Sequence, residues 1–273
     1  MTAPNTPHSW DELITSPANP TIKLARSLHR RRMRHRERAI LVEGTRAIQS
    51  ASEHGAGIRA LLIDASRAGD IDPSLLSSLR ESAGRVLLVE PTLFQQVTDT
   101  EHPQPLVAIC AMPDNPLPID STFVVALDGV RDPGNLGTLL RSSAAAGADG
   151  VALLHGSVDP FNPKAIRASV GAVFAQPLQS FAAVSEVIDN CFLKRPIVVV
   201  ADSDGELAYD AIDWTQPSLL IIGGEAEGVS EEVRTYADVV ASIPMAPGVE
   251  SLNAAVAGSI VAFEIARQRR ASR

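Results

Sequence analysis

Residues 219–228 read LLIIGGEAEG, four apolar residues followed by a glycine-rich loop. A wholly apolar run of this length is typical of a strand that is covered on both faces. The glycines let the main chain turn sharply and approach a ligand, and Glu225 can accept hydrogen bonds there. The segment predicts a buried strand of a parallel sheet with a binding loop at its carboxyl end. A plain turn before a helix capped by Ser230 is the alternative interpretation.

The rest of the second half alternates between strand-like and helix-like segments. Strands are predicted over residues 123–127, 150–154, 197–201, 219–222 and 239–243. Helices are predicted between and after them, over residues 135–147, 163–170, 181–192, 230–236 and 251–270. Such alternation indicates a parallel sheet with helices on both faces. Binding residues are therefore expected in the loops that follow the strands.

The first half has the pattern of a smaller α/β domain. Residues 1–20 are rich in proline and polar residues and are predicted to be loose. Helices are predicted over residues 22–38, 44–54 and 73–83, and strands over 39–42, 59–63, 85–89 and 106–111. Three prolines in residues 112–118 indicate a linker. We therefore place a first domain at residues 1–111, a linker at 112–121 and a second domain at 122–273.

Charge is distributed unevenly along the chain. Residues 22–46 contain nine basic and two acidic residues, although the whole chain has a net charge of −8. Six arginines with one acid fall in residues 30–38, a density that favours an exposed nucleic-acid-binding arm. The candidate RNA-binding residues of this arm are Arg30, Arg31, Arg32 and Arg34. A solvated helix face is the competing interpretation.

Several functional classes find no support in the sequence. It has no apolar run long enough to span a bilayer, and its polar start does not resemble a signal peptide. Cys110 and Cys191 have no metal-site spacing and are expected to be reduced thiols of a cytoplasmic protein. The glycine fingerprints of dinucleotide and nucleotide-triphosphate sites are missing, which disfavours an oxidoreductase. The six histidines are scattered, so no metal site is expected.

A second motif follows the predicted strand 123–127. Residues 132–135 read DPGN, a turn in which Asn135 is predicted to cap the next helix. Arg141 projects from an otherwise apolar turn of that helix, so it needs either an ion-pair partner or an anionic ligand. The choice between a structural and a functional arginine stays open at this point.

A third motif follows the predicted strand 239–243. Residues 243–245 read IPM, and the last helix is predicted to begin with Ser251 and Asn253. The start of a helix presents free N–H groups and a positive dipole end, which can hold an anion or a small ligand. Taken alone, the segment favours an ordinary capped, buried helix over a binding site.

In their order along the chain, these motifs closely resemble the SpoU/TrmH family of S-adenosylmethionine-dependent RNA ribose 2′-O-methyltransferases. Residues 161–172, FNPKAIRASVGA, match the family as well. The first half is similar to the family's RNA-binding domain of the ribosomal-protein L30e type, through residues 16–20, Lys23 and residues 42–44. The resemblance covers nearly the whole chain.

The resemblance implies an α/β fold with an L30e-like first domain and a parallel-sheet second domain that carries a deep trefoil knot. It implies S-adenosylmethionine as cofactor, bound by Gly223, Ile243 and Leu252. The implied catalytic residues are Asn135, Arg141, Glu225, Ser251 and Asn253, and Lys23 joins the RNA-binding residues.

The resemblance also implies partners. A homodimer through the second domain is expected, with Arg141 serving the cofactor of the partner. The expected substrate is structured RNA, with 23S ribosomal RNA favoured over tRNA. Members of this branch of the family include methyltransferases that confer resistance to thiostrepton. A non-catalytic RNA-binding or ribosome-assembly factor that keeps the fold is the alternative function.

Overall fold

A computed structural model describes residues 12–225 and 227–272. The chain divides between Met112 and Pro113 into two compact units, each with its own sheet. In the described residues, no helix is long and apolar enough to cross a membrane. Both cysteines are free and buried, and burial raises the pKa of Cys110 to about 12 and the pKa of Cys191 to about 11.

The first unit is a five-stranded mixed sheet with helices. Its strands are β1 (Glu12–Ile14), β2 (Ala39–Glu43), β3 (Ile58–Asp64), β4 (Val86–Val89) and β5 (Leu106–Ala111). Its helices are α1 (Pro20–Ser27), α2 (Arg31–Glu37), α3 (Thr45–Glu53), α4 (Pro73–Ser82) and α5 (Pro91–Gln95). The sheet order is β1-β4-β3-β5-β2, and only the pairs that include β5 are antiparallel.

Local sequence signals start three helices of this unit. Proline follows the capping residues Asn19, Asp72 and Glu90, whose side chains accept hydrogen bonds from the first helical N–H groups. Proline is tolerated at the first helical position because its missing N–H would have no partner there. The predicted helices 44–54 and 73–83 and the four predicted strands are confirmed within a few residues.

Two expectations for the start of the chain are wrong. The loose segment 1–20 contains β1, which pairs with β4, and α1 already starts at Pro20; residues 1–11 lie outside the described residues. The predicted basic helix 22–38 is two helices, because α1 ends at Ser27 and α2 begins at Arg31. Arg38 then adopts a left-handed φ of 46°, which ends α2 and leads into β2.

The second unit is a seven-stranded sheet in which every pair is parallel, as the alternating pattern predicts. Its strands are β6 (Phe123–Asp128), β7 (Gly150–Leu153), β8 (Leu178–Ser180), β9 (Ile197–Ala201), β10 (Leu207–Ala208), β11 (Ser218–Gly223) and β12 (Val239–Ser242). The order is β10-β12-β9-β11-β6-β7-β8. The central strand β11 is buried along its whole length.

The helices of this unit include all five that the sequence predicts; the one at residue 163 begins as predicted, and the other four begin one to three residues earlier or later. The helices are α6 (Pro133–Ala146), α7 (Pro163–Ser169), α8 (Ala172–Ala175), α9 (Val184–Cys191), α10 (Glu231–Arg234) and α11 (Ala254–Ala271). Asp132, not Asn135, caps α6, because proline at position 133 is the first helical residue. Asn253 caps α11, so Ser251 precedes the helix instead of opening it. Ser230 caps α10 as expected.

Candidate functional site

A cavity of about 550 Å³ opens at the carboxyl ends of β9, β11 and β12, and we call it the first cavity. It is lined by the end of β11, by the residues after β12 and by the start of α11. The three residues predicted to bind cofactor, Gly223, Ile243 and Leu252, all line it. A parallel sheet places its binding loops at this edge, and the cavity volume is in the range typical of small-molecule sites.

Glycine is required where β11 ends against this cavity. A Cβ on Gly223 would lie 2.2 Å from the main-chain carbon of Gly228, and one on Gly224 would lie 2.3 Å from the Gly129 oxygen. Gly224 and Gly228 exchange two main-chain hydrogen bonds, so the loop between them is closed at its base. At the end of β11 the wall of the first cavity is therefore main chain packed on main chain, without room for a Cβ at Gly223 or Gly224.

A chain of polar side chains joins three of the predicted catalytic residues. Asn135 donates to a carboxylate oxygen of Glu225 at 2.5 Å, and Asn253 donates to the amide oxygen of Asn135 at 3.0 Å. Asn253 in turn accepts from the N–H groups of Ala255 and Val256. The structure thus connects α6, the loop after β11 and the N-terminus of α11 at the rim of the first cavity.

The remaining two predicted catalytic residues are placed differently. Ser251 is exposed and lines the first cavity beside Leu252. Arg141 is an exposed residue of α6 with no hydrogen bond or ion pair to the described part of the chain, and it does not line the first cavity. Its guanidinium is therefore available to a ligand or to another molecule.

A second cavity, of about 490 Å³, lies at the ends of β6, β7 and β8. It shares Gly224, Glu225 and Gly228 with the first cavity, so the loop after β11 forms a common wall. Arg141 does not line it either. The sequence alone does not indicate this cavity, because its residues come from four separate loops and from α10. The other lining residues lie in the loops that follow these strands and in α10, and they include Asp128, Arg131, His155, Phe181 and Glu232.

The RNA-binding candidates form two groups. Lys23, Arg30, Arg31 and Arg32 are exposed on α1, α2 and the residue before α2, and we call them the basic surface. The expectation of exposure is wrong for Arg34, which is only 2 % exposed. Arg34 donates to the carbonyl oxygens of Leu28 and His29, at 2.8 Å and 2.9 Å. It satisfies the carbonyls where α1 ends, a role that a pattern of charges cannot reveal.

Sequence reasoning also missed two acids near the cavities, one half-buried and one buried. Asp202, directly after β9, lines the first cavity and pairs with Arg234 of α10. Asp128, at the end of β6, is buried and accepts from the Ser230 N–H at 2.7 Å. Both lie at the carboxyl end of a predicted strand, which is the one signal that could have identified them. Among the described residues, no group of three or more His, Cys, Asp or Glu side chains could hold a metal ion.

Two family models match the chain. Residues 122–263 match the SpoU rRNA methylase family, and residues 19–108 match the MRM3-like substrate binding domain. Each matched segment lies within one of the two compact units. The match to the SpoU rRNA methylase family covers more than half of the chain.

Curated relatives and solved structures extend over both units. A 23S rRNA (uridine(2479)-2′-O)-methyltransferase of Streptomyces viridochromogenes is 36% identical over 89% of this chain and 87% of its own length. The SpoU methyltransferase AviRb of the same organism, in complex with AdoMet, has a TM-score of 0.84 at 33% identity and covers 93% of this chain and 100% of that structure. An AdoMet-bound rRNA methyltransferase of Sinorhizobium meliloti has a TM-score of 0.80 at 32% identity, covering 93% and 97%.

Proposed function

The chain belongs to the SpoU rRNA methylase family, and from this we propose that it methylates a ribose 2′-hydroxyl of 23S ribosomal RNA with S-adenosylmethionine as cofactor. The chain is accordingly an RNA methyltransferase. The observation that carries this proposal is the first cavity, with the chain of Glu225, Asn135 and Asn253 at its rim.

The residues of the first cavity fit the proposed cofactor. Gly223 packs so closely on Gly228 that the cavity wall there is main chain, which a ligand can contact directly, and Ile243 and Leu252 add apolar contacts. These three residues would hold S-adenosylmethionine. When bound, the cofactor supplies a methyl group on a sulfonium, which a nucleophile can displace. Glu250 also lines this cavity and places negative charge near a cationic ligand, whereas the charge of Asp202 is paired with Arg234.

The remaining chemistry falls to this chain's own side chains. A ribose hydroxyl is a weak nucleophile that must lose its proton as its oxygen bonds to the methyl carbon. Asn135, Glu225 and Asn253 hold one another in a fixed arrangement, and Ser251 lies beside them on the cavity wall. We assign to Ser251 and Asn253 the orientation of the hydroxyl, because a fixed approach geometry supplies much of the rate in a displacement.

Arg141 is assigned to the RNA rather than to proton abstraction. A guanidinium is protonated at all working pH values, so it cannot act as a base. Exposed and without an internal partner among the described residues, it can bind a phosphate of the substrate and stabilise charge that develops on the 2′-oxygen. The proton then leaves to phosphate or to water.

A homodimer through the second unit is part of the proposal. Val256 and Phe263 are seven positions apart on α11, each nearly half exposed, and so form an apolar stripe on one face. Helix α11 packs against α6, where Ser142 and Ser259 share a hydrogen bond, and Arg141 is exposed on α6. A partner covering α6 and α11 would receive Arg141 at its own first cavity.

The dimer can be tested by mixing inactive variants. If Arg141 serves the partner subunit, mixed dimers of an Arg141→Ala chain and a Gly223→Ala chain contain one intact site. Refolded together, the two chains should regain about a quarter of the wild-type activity per total protein, which is the share of intact sites that random pairing produces. Activity that stays at the level of the separate variants would place Arg141 in its own chain's site.

Two further features complete the proposal. The sheet order places β11 between β9 and β6, and after β12 the chain returns to pack α11 on α6. We propose that this path forms the deep trefoil knot that the family resemblance implies. We also place the protein in the cytoplasm, where bacterial ribosomal RNA, the substrate of its bacterial relatives, is made.

Calorimetry with S-adenosylmethionine separates this proposal from the alternative of a non-catalytic RNA-binding factor. The full chain should bind one cofactor per subunit in the micromolar range, and Gly223→Ala should abolish the heat of binding. A wild-type chain that releases no heat would favour the non-catalytic factor. S-adenosylhomocysteine, which keeps the same framework without the methyl group, serves as the second ligand.

A further inference from the structure

The second cavity has no role in the methyl transfer assigned to the first cavity, although the two share a wall. Glu225 is common to both and is hydrogen-bonded to Asn135. Two cavities separated by one loop can hold two reactants whose reacting atoms meet at that loop. The natural occupant of the second cavity is therefore a part of the RNA close to the reacting ribose.

The charge of the second cavity excludes a phosphate. Asp128, Glu225, Glu227 and Glu232 line it, against Arg131 as its cation. An RNA phosphate needs Lys or Arg and is repelled by carboxylates. A nucleobase is neutral, and an aromatic side chain or an Arg plane can stack on it once it is unstacked from its neighbours. Such surfaces are offered in this cavity by His155, which is exposed, and by Arg131.

The carboxylates of the second cavity differ in their partners. Asp128 accepts from the Ser230 N–H, Glu225 accepts from Asn135, and Glu227 pairs with Arg131 at 3.0 Å. The Glu232 carboxylate has no hydrogen bond or ion pair within the described parts of the chain, and it is exposed. One free carboxylate thus faces a cavity of base-binding size.

We propose that the second cavity holds the base of the target nucleotide and that Glu232 selects guanine. This inference rests on the proposed function and names its substrate more closely. A carboxylate has two acceptor oxygens and no donor, so its best match is a base with two adjacent N–H donors. Guanine has this pair, at N1 and N2, on its Watson–Crick edge. Adenine and cytosine present one donor group beside an acceptor, and uracil presents a single N–H.

Glu231 provides a matched control for Glu232. Both are exposed acids in the first turn of α10, and only Glu232 lines the second cavity. Glu→Gln at either position removes the same charge from the same helix end. A purely structural or long-range electrostatic role would therefore give equal effects in the two variants.

The first experiment measures binding independently of methyl transfer. Saturation-transfer NMR on the full chain, with guanosine, adenosine, cytidine and uridine as probes, should give the strongest signal for guanosine. The guanosine signal should persist in Glu231→Gln and fall to the level of the other nucleosides in Glu232→Gln. No guanosine signal in the wild-type chain, or equal signals in the two variants, would overturn the proposal.

The second experiment measures methyl transfer to 23S ribosomal RNA. Glu232→Gln should lower kcat/KM by about tenfold to hundredfold, the range of a bidentate base contact, with an unchanged affinity for S-adenosylmethionine. Inosine at the mapped nucleotide, which lacks the N2 amino group, should slow the wild type and not slow Glu232→Gln further. Equal kcat/KM in Glu231→Gln and Glu232→Gln, or a mapped nucleotide other than guanosine, would contradict the proposal.

The two experiments distinguish a failure of this inference from a failure of the proposed function. Guanosine binding that depends on Glu232, without any methyl transfer by the wild type, would support the base site and defeat the proposed function. Methyl transfer that ignores Glu232 would support the proposed function and defeat the base site.

Discussion

The wall of the first cavity at the end of β11 and the basic surface differ in the atoms that form them, which are main-chain atoms at one and side-chain atoms at the other. At the end of β11 the wall of the first cavity is main chain, with no room for a Cβ at Gly223 or Gly224. The basic surface consists of long, exposed side chains on two short helices and on the residue before the second of them. Single substitutions should therefore be severe in the cavity. On the surface, charges act together and each one contributes little.

The largest effect is expected from Gly223→Ala. The added methyl group would lie 2.2 Å from a main-chain atom, so the loop after β11 must move. A displacement of about 1 Å can cost about 100-fold in rate, and we expect at least that loss in methyl transfer, together with the loss of cofactor binding. Gly69→Ala, where a Cβ meets nothing within 4 Å, is the control. Equal activities of the two variants would show that the main-chain wall is not the cofactor site.

The second-largest effect is expected from Arg141→Ala. Loss of one group that stabilises developing negative charge typically lowers kcat by about 100- to 1000-fold. Affinity for S-adenosylmethionine should change little, because Arg141 is assigned to the RNA phosphate and to the charge that develops on the 2′-oxygen, and not to the cofactor. Arg141→Lys should recover only part of the rate, since an ammonium lacks the planar fork of the guanidinium. Parallel losses of kcat and cofactor affinity would count against the assignment.

Arg34→Ala sharpens the comparison, because this residue belongs to the basic segment and behaves as part of the core. Its removal leaves the carbonyls of Leu28 and His29 without their donor, which should lower the free energy of unfolding by about 3 kcal/mol. Exposed Arg31→Ala should stay within about 0.5 kcal/mol of the wild type. Urea titrations measure both, and equal midpoints would refute the structural role of Arg34.

The smallest effect per residue is expected on the basic surface. Charge reversal of Arg30, Arg31 and Arg32 to Glu should weaken RNA binding and lower the slope of log affinity against log salt by about 2 to 3. Cofactor binding should remain, because none of the three lines the first cavity. Filter binding at several salt concentrations measures the slope. An unchanged slope would favour the competing interpretation, in which these arginines form only a solvated helix face.

The sequence predicted the parts of the molecule that local patterns control. The apolar runs Ile197–Ala201 and 219–222 are strands because they are buried on both faces, and prolines after capping residues mark helix starts. Prediction from the sequence failed where tertiary contacts determine the local structure. Strands β8 and β10 have only three and two residues, and the inward turn of Arg34 depends on the carbonyls at the end of α1.

The candidate site was predictable in part for the same reason. Gly223, Ile243 and Leu252 follow strands in the sequence, so the parallel topology brings them to one edge. The hydrogen bonds that join Glu225, Asn135 and Asn253 link residues 90 and 118 positions apart in the chain. The second cavity is lined by four separate loops and by α10. No sequence periodicity predicts contacts between residues this far apart in the chain, so these contacts were identified only in the folded structure.

The most direct test of the central claim is a map of methylation on unmodified 23S ribosomal RNA. The full chain is incubated with this RNA and S-adenosylmethionine labelled in the methyl group, and 2′-O-methylated positions are located by their resistance to alkaline hydrolysis. We expect one labelled ribose, absent with Gly223→Ala and present with Gly69→Ala. Label on a base, or no label with the wild-type chain, would contradict the account.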